Sequence, residues 1–244
     1  MNKSKMETDV RWKAFYRLAG VTALLIVLVG LTDTVTSMLG GAVHENSSVS
    51  ITDWFALFAT HPLNALGNLG LFNILTLSFG IPLYLALFNL HREDNPSFAG
   101  LAALLFVMGT TIYIASNTVF SMLALSSQYA LATEAQKPLL EAAGRALLAQ
   151  GADLTPGTFM GFLFSQIAGL MMALVLLRGR IFSKVTGWLG VVGFAVMLVF
   201  FSVAAFIPTQ FNTAIMISAP GGLLLLAYNI LLARRLFQLA SQGA

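Results

Sequence analysis

The sequence predicts an all-α, polytopic membrane protein: a bundle of six transmembrane helices with both termini in the cytoplasm. Three observations lead to this prediction. Of the 244 residues, 57% are hydrophobic and only 9% are charged, whereas soluble domains carry roughly 25% charged residues. The hydrophobic residues form six runs, each long enough to supply the roughly 20 residues that cross a hydrocarbon core about 30 Å thick. Lys and Arg are concentrated at alternate ends of these runs.

The six predicted spans form a single transmembrane domain without an internal repeat or a low-complexity tract. They cover residues 14–39, 64–90, 98–126, 155–178, 184–207 and 213–233. The first exceeds the hydrophobic region of a signal peptide, which has about 7–15 residues, so we expect it to remain as a helix. Pro220-Gly221-Gly222 interrupts the sixth, which predicts a kink or a short unwound segment.

The distribution of positive charge sets the predicted orientation. Of the 13 Lys and Arg residues, all but Lys137 and Arg145 lie before or at the start of the first span, or at and directly after the ends of the second, fourth and sixth. The positive-inside rule therefore places both termini in the cytoplasm of a multi-pass protein in the cell membrane, a bacterial inner membrane. The lipid bilayer is the predicted partner. Nucleic acid is not, because the basic residues form no stripe or patch.

Two of the predicted outer connections are long enough to form structure. In segment 52–60, Thr52 or Asp53 would cap a short helix that ends at His61-Pro62. Its large apolar side chains would rest in the headgroup region; they are Trp54, Phe55, Leu57 and Phe58.

The other long connection, segment 134–150, combines charged and apolar side chains at helical spacing. The charged residues are Glu134, Lys137, Glu141 and Arg145, and the apolar residues opposite them are Leu139, Leu140, Ala143 and Leu147. This pattern predicts an amphipathic helix, which would lie on the outer surface or cap the bundle.

Polar side chains inside the predicted spans lie mostly in the outer half. In hydrocarbon such side chains are costly, so they should face other helices or a watered cavity. Asp33 is the only carboxylate within a predicted span. We therefore predict an outward-facing polar pocket that binds or carries a small amphiphilic molecule. Its lining residues would be Asp33, Asn64, Asn68, Tyr113, Asn117 and Gln166.

Each of these polar residues also has a purely structural explanation that needs no pocket. On this alternative, the Asn, Ser and Thr side chains form interhelical hydrogen bonds, worth roughly 0.6 kcal/mol each on average. Asp33 would be hydrated near the interface or would bond to a neighbouring Asn. A second function hypothesis, an accessory or scaffold subunit of a larger membrane complex, follows from the many small residues and aromatic-rich helix faces.

Neither a metal nor another cofactor is predicted. Four residues of the first outer connection are the weak candidates for a nitrogen and oxygen metal site: His44, Glu45, Asp53 and His61. They lack a recognised ligand spacing, and surface histidines explain them better. The chain has no cysteine, so it offers no disulfide and no thiol ligand.

The residue types also argue against an enzyme. All three histidines, His44, His61 and His91, fall in predicted connections, so no pair can clamp a haem between spans. The interiors of the spans contain no Lys for a Schiff base, since Lys184 lies at the very start of the fifth, and the chain has neither an HExxH motif nor a P-loop. An enzymatic alternative would use Asp33 as acid or base, with His44, His61, Glu45 or Asp53 as partner.

Short motifs at three helix ends carry a family resemblance. They are Arg17-Leu18-Ala19-Gly20, then Phe182-Ser183-Lys184 with Gly187 and Leu189-Gly190, and then Pro220-Gly221 followed by Leu231-Leu232-Ala233-Arg234-Arg235-Leu236. With these motifs the chain resembles bacterial six-span membrane proteins of the domain of unknown function 4386 family. The resemblance implies a six-helix integral membrane protein and supplies no activity. The long connections 40–63 and 127–154 are where we expect the chain to depart from that family.

Overall fold

A computed structural model describes residues 10–40 and 49–242, and within these ranges the chain is helical, without strands. Its helices are α1 (Val10–Gly40), α2 (Ile51–Thr60), α3 (Pro62–Asn68), α4 (Leu71–His91), α5 (Pro96–Ser116), α6 (Val119–Leu131), α7 (Lys137–Gly151), α8 (Pro156–Arg178), α9 (Lys184–Phe206) and α10 (Phe211–Ser241). Six stretches of the described chain are long and apolar enough to cross a membrane, and they contain α1, α4, α5, α8, α9 and α10. The all-α prediction with six apolar spans is confirmed.

The six long helices form a closed ring. Each packs against its neighbours along the chain, and α10 packs back on α1. The closest approach is between α5 and α8, where a Cβ on Gly109 would lie 2.8 Å from the carbonyl oxygen of Gly161. Large apolar side chains such as Leu28 and Leu104 are exposed on the outside of the ring, as expected for side chains that face lipid.

The four shorter helices, α2, α3, α6 and α7, form what we call the cap. They lie in the two connections α1–α4 and α5–α8, which meet at one end of the ring, the cap end. A hydrogen bond from the backbone N–H of Thr118 to the Gly151 carbonyl (3.1 Å) joins the two ends of the α6–α7 hairpin. The cap has its own apolar core of Ile51, Trp54, Phe55, Phe58, Ala65, Leu69, Val119, Met122 and Ala152.

The first cap helix begins differently from the prediction. Ser50, and not Thr52 or Asp53, is the N-cap of α2. Its hydroxyl accepts from the Asp53 N–H (3.1 Å), and the Asp53 carboxylate accepts from the Ser50 N–H (2.9 Å), which is the reciprocal capping box. The aromatic side chains of this helix are buried in the cap core instead of resting among headgroups, because α6 and α7 cover them.

The predicted amphipathic helix of segment 134–150 is α7, and it packs against α2, α6 and α8 as part of the cap. Its charged face is turned toward α6. Glu141 accepts a hydrogen bond from the Tyr129 hydroxyl (3.0 Å), and Lys137 lies 5.8 Å from the centre of the Tyr129 ring. Leu139 is left exposed.

Two predicted spans are broken near the cap. The predicted span 64–90 is divided, since α3 ends at Asn68 and α4 begins only at Leu71. The predicted span 98–126 is divided at residues 117–118, between α5 and α6. Asn117 stabilises both breaks: its Nδ2 donates to the Leu69 carbonyl (2.8 Å) and its Oδ1 accepts from the Val119 N–H (2.9 Å). Side-chain amides thus replace the helical hydrogen bonds that are lost.

The sixth span is a continuous helix, α10, through Pro220-Gly221-Gly222. Of the two alternatives predicted there, the described chain therefore excludes the unwound segment, and the kink stays a prediction. One further expectation is corrected at the helix level. His91 does not lie in a connection. It is the last residue of α4 and is fully buried, because Phe182 and Gly179 of the following connection pack over its ring.

Candidate functional site

A buried carboxylate, Asp153, is the centre of a polar cluster at the cap end of the ring. Asp153 lies between α7 and α8 and is only 5% exposed. Its Oδ1 accepts from the Tyr113 hydroxyl on α5 (2.7 Å), and its Oδ2 accepts from Nδ2 of Asn73 on α4 (2.8 Å). Bonds to a carboxylate are short and stronger than those between neutral groups. The cluster therefore ties α4, α5 and the start of α8 together.

Gly70 provides the space in which this cluster forms. Its backbone is left-handed, with φ of 103°, a conformation that glycine adopts without strain. A Cβ at this position would overlap the Tyr113 hydroxyl, and it would lie 2.7 Å from Asn117 Nδ2 and 3.2 Å from Asp153 Cγ. Only glycine leaves the three side chains room to meet.

The backbone that carries Asp153 is itself strained. The next residue, Leu154, has a φ of 57°, which costs a non-glycine residue roughly 1–2 kcal/mol. Hydrogen bonds to the Ala152 carbonyl hold this turn: Thr155 Oγ1 donates at 2.6 Å and Thr158 Oγ1 at 3.2 Å. The turn keeps Asp153 directed at the ring.

A second carboxylate, Asp33 on α1, lies at the edge of the cluster. Asp33 is half-buried, and the charge of Asp153 acts on its carboxylate through space. Within residues 10–40 and 49–242, no side chain or N–H donates a hydrogen bond to its carboxylate. A carboxylate in an apolar helix bundle is costly unless a group that donates hydrogen bonds or carries positive charge stabilises it.

The polar lining continues one helical turn deeper into the ring. The rings of Tyr113 on α5 and Phe162 on α8 are 4.7 Å apart. Thr110 precedes Tyr113 by three residues and Gln166 follows Phe162 by four, so both lie on the same helix faces, farther from the cap. Both are buried. Thr110 Oγ1 and Gln166 Oε1 have no hydrogen-bond partner in the described part of the chain.

The structure brings together part of the predicted pocket. Tyr113 and Asn117 meet beside Asp153, Gln166 lies a turn deeper on α8, and Asp33 on α1 is linked to them only through the charge of Asp153. Asn68 and Asn64 are on α3, where Nδ2 of Asn68 donates to the backbone carbonyl and to Oδ1 of Asn64 (2.9 and 2.8 Å). These two residues therefore belong to the cap and not to a span.

The prediction missed three members of the cluster: Asp153, Asn73 and Gly70. The sequence gives a weak signal for Asp153, since it is an acid placed directly before the apolar run that begins at Thr155-Pro156. Asn73 is visible as an amide inside a span. No local pattern identifies Gly70, whose role depends on side chains that come from other helices.

The weak metal candidates do not form a centre in the described residues. His44 and Glu45 lie outside the described ranges. Asp53 is engaged in the capping box of α2. Two hydrogen bonds lower the pKa of its carboxyl group: the larger effect comes from the Ser50 side chain and the smaller from the Ser50 backbone N–H. His61 is exposed at the junction of α2 and α3. Between residues 10–40 and 49–242, no group of three His, Asp or Glu side chains could hold a metal ion.

A shallow groove of about 330 Å³ lies away from this cluster, where α6 ends and α7 begins. Its walls are formed by Gln128, Leu131, Ala132, Gln136, Leu139 and Leu140. None of these side chains is ionisable, so the groove offers no charged group to a ligand; its polar side chains are the amides of Gln128 and Gln136.

Comparison with known proteins adds no assignment: no family model, no curated protein and no solved structure matches the chain significantly. Membership of the domain of unknown function 4386 family stays a prediction. The chemistry of the cluster itself is therefore the basis for a function.

Proposed function

We propose that this chain is an integral membrane protein that binds or carries a small amphiphilic molecule in a polar site at the cap end of the ring. The observation that carries the proposal is the half-buried Asp33 carboxylate, which has no hydrogen-bond donor among the described residues. A carboxylate in a membrane span is costly to keep without a partner. A ligand with a polar head would supply that partner.

The surroundings of the site suit the apolar part of such a ligand. Below the cluster, the Phe162 ring contacts Tyr113 and stacks on Phe201 at 3.9 Å. These rings belong to the main apolar core of the bundle. An apolar body of the ligand against these rings would match the change from polar to apolar side chains along the ring.

The charge distribution supports a site that opens to the outside. Described Lys and Arg side chains at the end opposite the cap are Lys13, Arg17, Arg92, Arg178, Arg180, Lys184, Arg234 and Arg235. If that end faces the cytoplasm, as the positive-inside rule predicts, the cap and the Asp33 site face outward and both termini are cytoplasmic.

Native mass spectrometry of the protein purified from its own membrane in mild detergent tests the proposal. We expect the wild type to retain a small apolar molecule, and we expect Asp33→Asn to lose it, because the isosteric amide lacks the charge. Glu134→Gln is the matched control, since Glu134 is an exposed acid of the cap outside the cluster; it should retain the molecule. Identical spectra of bulk lipids for all three proteins would contradict the proposal.

The same preparation decides the accessory-subunit alternative. A second protein that co-purifies at a fixed stoichiometry would favour a subunit of a larger complex, whereas a monomer with a bound small molecule would exclude it. Retention of the partner by Asp33→Asn would show in addition that the polar cluster is not what holds the complex together.

A further inference from the structure

We propose that the connection between α8 and α9, residues 179–183, is a pH-sensitive strap across the end of the ring opposite the cap. The neutral imidazole of His91 on α4 holds the strap closed, and uptake of a proton by His91 releases it. The polar cluster at the cap end takes no part in this switch. Three features of the described chain support it: the course of the strap, the packing of His91 beneath it, and the charges around it.

The strap reaches a helix that is not a neighbour of the two helices it joins. In the ring, α5 lies between α4 and α8, while α1 and α10 lie between α4 and α9. Yet the Phe182 ring of the strap stacks on the ring of His91, the last residue of α4, at a centroid distance of 6.0 Å. In addition, Nε of Arg235 on α10 donates to the Ile181 carbonyl (2.8 Å). The strap therefore connects α4 with α10 across this end of the ring.

His91 is packed under the strap without a hydrogen bond to its ring. Its side chain is fully buried, and a Cβ on Gly179 would lie 2.6 Å from its Cε1 and 3.1 Å from its Nδ1. Within the described residues, neither Nδ1 nor Nε2 has a hydrogen-bond partner. A neutral imidazole leaves one donor and one acceptor unsatisfied there, whereas an imidazolium would add a full charge. Because an unpaired buried charge costs far more than a buried neutral group, the packed strap excludes a protonated His91.

The charges around His91 favour its release once it is protonated. Basic side chains lie on the strap and at the helix ends that adjoin it: Arg92, Arg178, Arg180, Lys184 and Arg235. Their positive charges would repel an imidazolium in the packed position. Two acids, Glu93 and Asp94, directly follow His91, and both are exposed; the charge of Asp94 acts on the imidazole. An imidazolium that moves out from under the strap therefore enters water beside a solvated acid.

The pH range of the switch follows from the ordinary titration of histidine. After release the imidazole is in water, where histidine has a pKa of about 6.5. The released state then binds a proton as the pH falls through this value, and the closed state does not, so a lower pH favours release. If the closed state binds no proton, the equilibrium constant for release rises about tenfold between about pH 7.5 and about pH 5.5.

Hydrogen exchange in phosphatidylcholine nanodiscs, followed by mass spectrometry at these two pH values, tests the proposal. The reporter is the peptide that contains the strap, in which the Gly179 N–H donates to the Val175 carbonyl (2.9 Å). After correction for the intrinsic effect of pH on exchange, we expect the protection of this peptide to fall about tenfold at the lower pH. A peptide at the cap end of α9, where the Ile207 N–H donates to the Val203 carbonyl (2.9 Å), should keep its protection.

Histidine variants assign the change to His91. His91→Phe keeps a ring against Phe182 and sacrifices no side-chain hydrogen bond of the described chain, so its strap should be equally protected at both pH values. His91→Gln, which is neutral at every pH, should give the same result and is the second variant in case the first does not fold. The matched control is His61→Phe, which replaces an exposed histidine of the cap and should keep the full change. Asp94→Asn should reduce it.

Three results would overturn the proposal. The first is a wild-type strap whose protection does not fall at the lower pH, because His91 would then not control release. The second is an equal fall in the wild type and in the folded His91 variants, since other groups would then be titrating. The third is an equal fall in the strap peptide and in the control peptide of α9, which would mean that the whole protein loosens in acid.

Discussion

At the scale of single residues, the contribution of a buried hydroxyl to the unfolding free energy depends on whether it has a hydrogen-bond partner. Tyr113→Phe removes the donor that lies 2.7 Å from Asp153 and leaves a buried carboxylate with one bond fewer. We expect this variant to lose about 1–3 kcal/mol of unfolding free energy, measured by denaturant titration in mixed micelles.

Tyr84→Phe is the matched comparison for this prediction. The Tyr84 hydroxyl is also buried but has no partner in the described chain, so its removal relieves a desolvation cost. Tyr84→Phe should be as stable as the wild type or slightly more stable. Equal losses in both variants would show that ring packing, and not the bond to Asp153, explains the effect.

Gly70 gives a second prediction at this scale. Gly70→Ala forces a side chain into a left-handed backbone and into the space of Tyr113 and Asn117. The variant should lose about 1–3 kcal/mol or more in the same titration. Gly222→Ala is its control, because a Cβ there meets no atom within 4 Å; it should be neutral or mildly stabilising, since alanine favours a helix.

What the sequence reveals about the site follows from where each polar residue lies. Asp33, Tyr113 and Asn117 could be predicted because polarity inside an apolar run is conspicuous and needs an explanation. Asp153 lies in a connection, where an acid is ordinarily solvated, and only the packing of three helices around it causes its burial. The site residues that the sequence predicts are therefore polar residues surrounded by apolar ones along the chain.

At the scale of single elements, the capping box of α2 predicts a dependence on pH. The bonds from the Ser50 side chain and backbone keep the pKa of Asp53 below its ordinary value of 3.8. A carboxyl group with a lowered folded pKa stabilises the fold above its unfolded pKa, and this stabilisation is lost as the pH falls through the folded value. The start of α2 should therefore loosen below about pH 4.

Fluorescence of Trp54, which is buried in the cap core, can follow this change once Trp12 and Trp188 are replaced by Phe. We expect an acid transition in the Asp53 protein that is absent or much reduced in Asp53→Asn, where no charge is titrated. Transitions of equal size in both proteins would assign the acid response to other carboxyl groups.

The elements themselves were predictable to different degrees. The apolar spans follow from hydropathy alone, and the fifth, α9, differs from its prediction by one residue. The breaks at Gly70 and at Asn117 were not predictable, because apolar residues continue on both sides of them. The break at Gly70 is stabilised by a side chain of the other connection, since Asn117 donates to the Leu69 carbonyl, and such long-range pairing leaves no periodic signal.

At the scale of the whole molecule, the chain consists of an apolar ring of long helices and a cap of short helices at one end. The ring is apolar on its outer surface and in most of its core, and the cap adds a small independent core above one end. The polar cluster lies where the two meet, and the described basic side chains outside the cap lie at the far end. This asymmetry is the basis for the proposal that the site faces outward.

The central claim is that water reaches Asp33 from the cap side of the membrane, and cysteine accessibility tests it most directly. The natural sequence has no cysteine, so single variants react at one position only. A membrane-impermeant cationic methanethiosulfonate is added outside intact cells.

We expect Asp33→Cys and the exposed cap variant Glu134→Cys to react. Lipid-facing Leu104→Cys and Arg180→Cys, at the opposite end, should not react. An unreactive Asp33→Cys beside a reactive Glu134→Cys would show that no water-filled site exists, and a reactive Arg180→Cys would reverse the orientation.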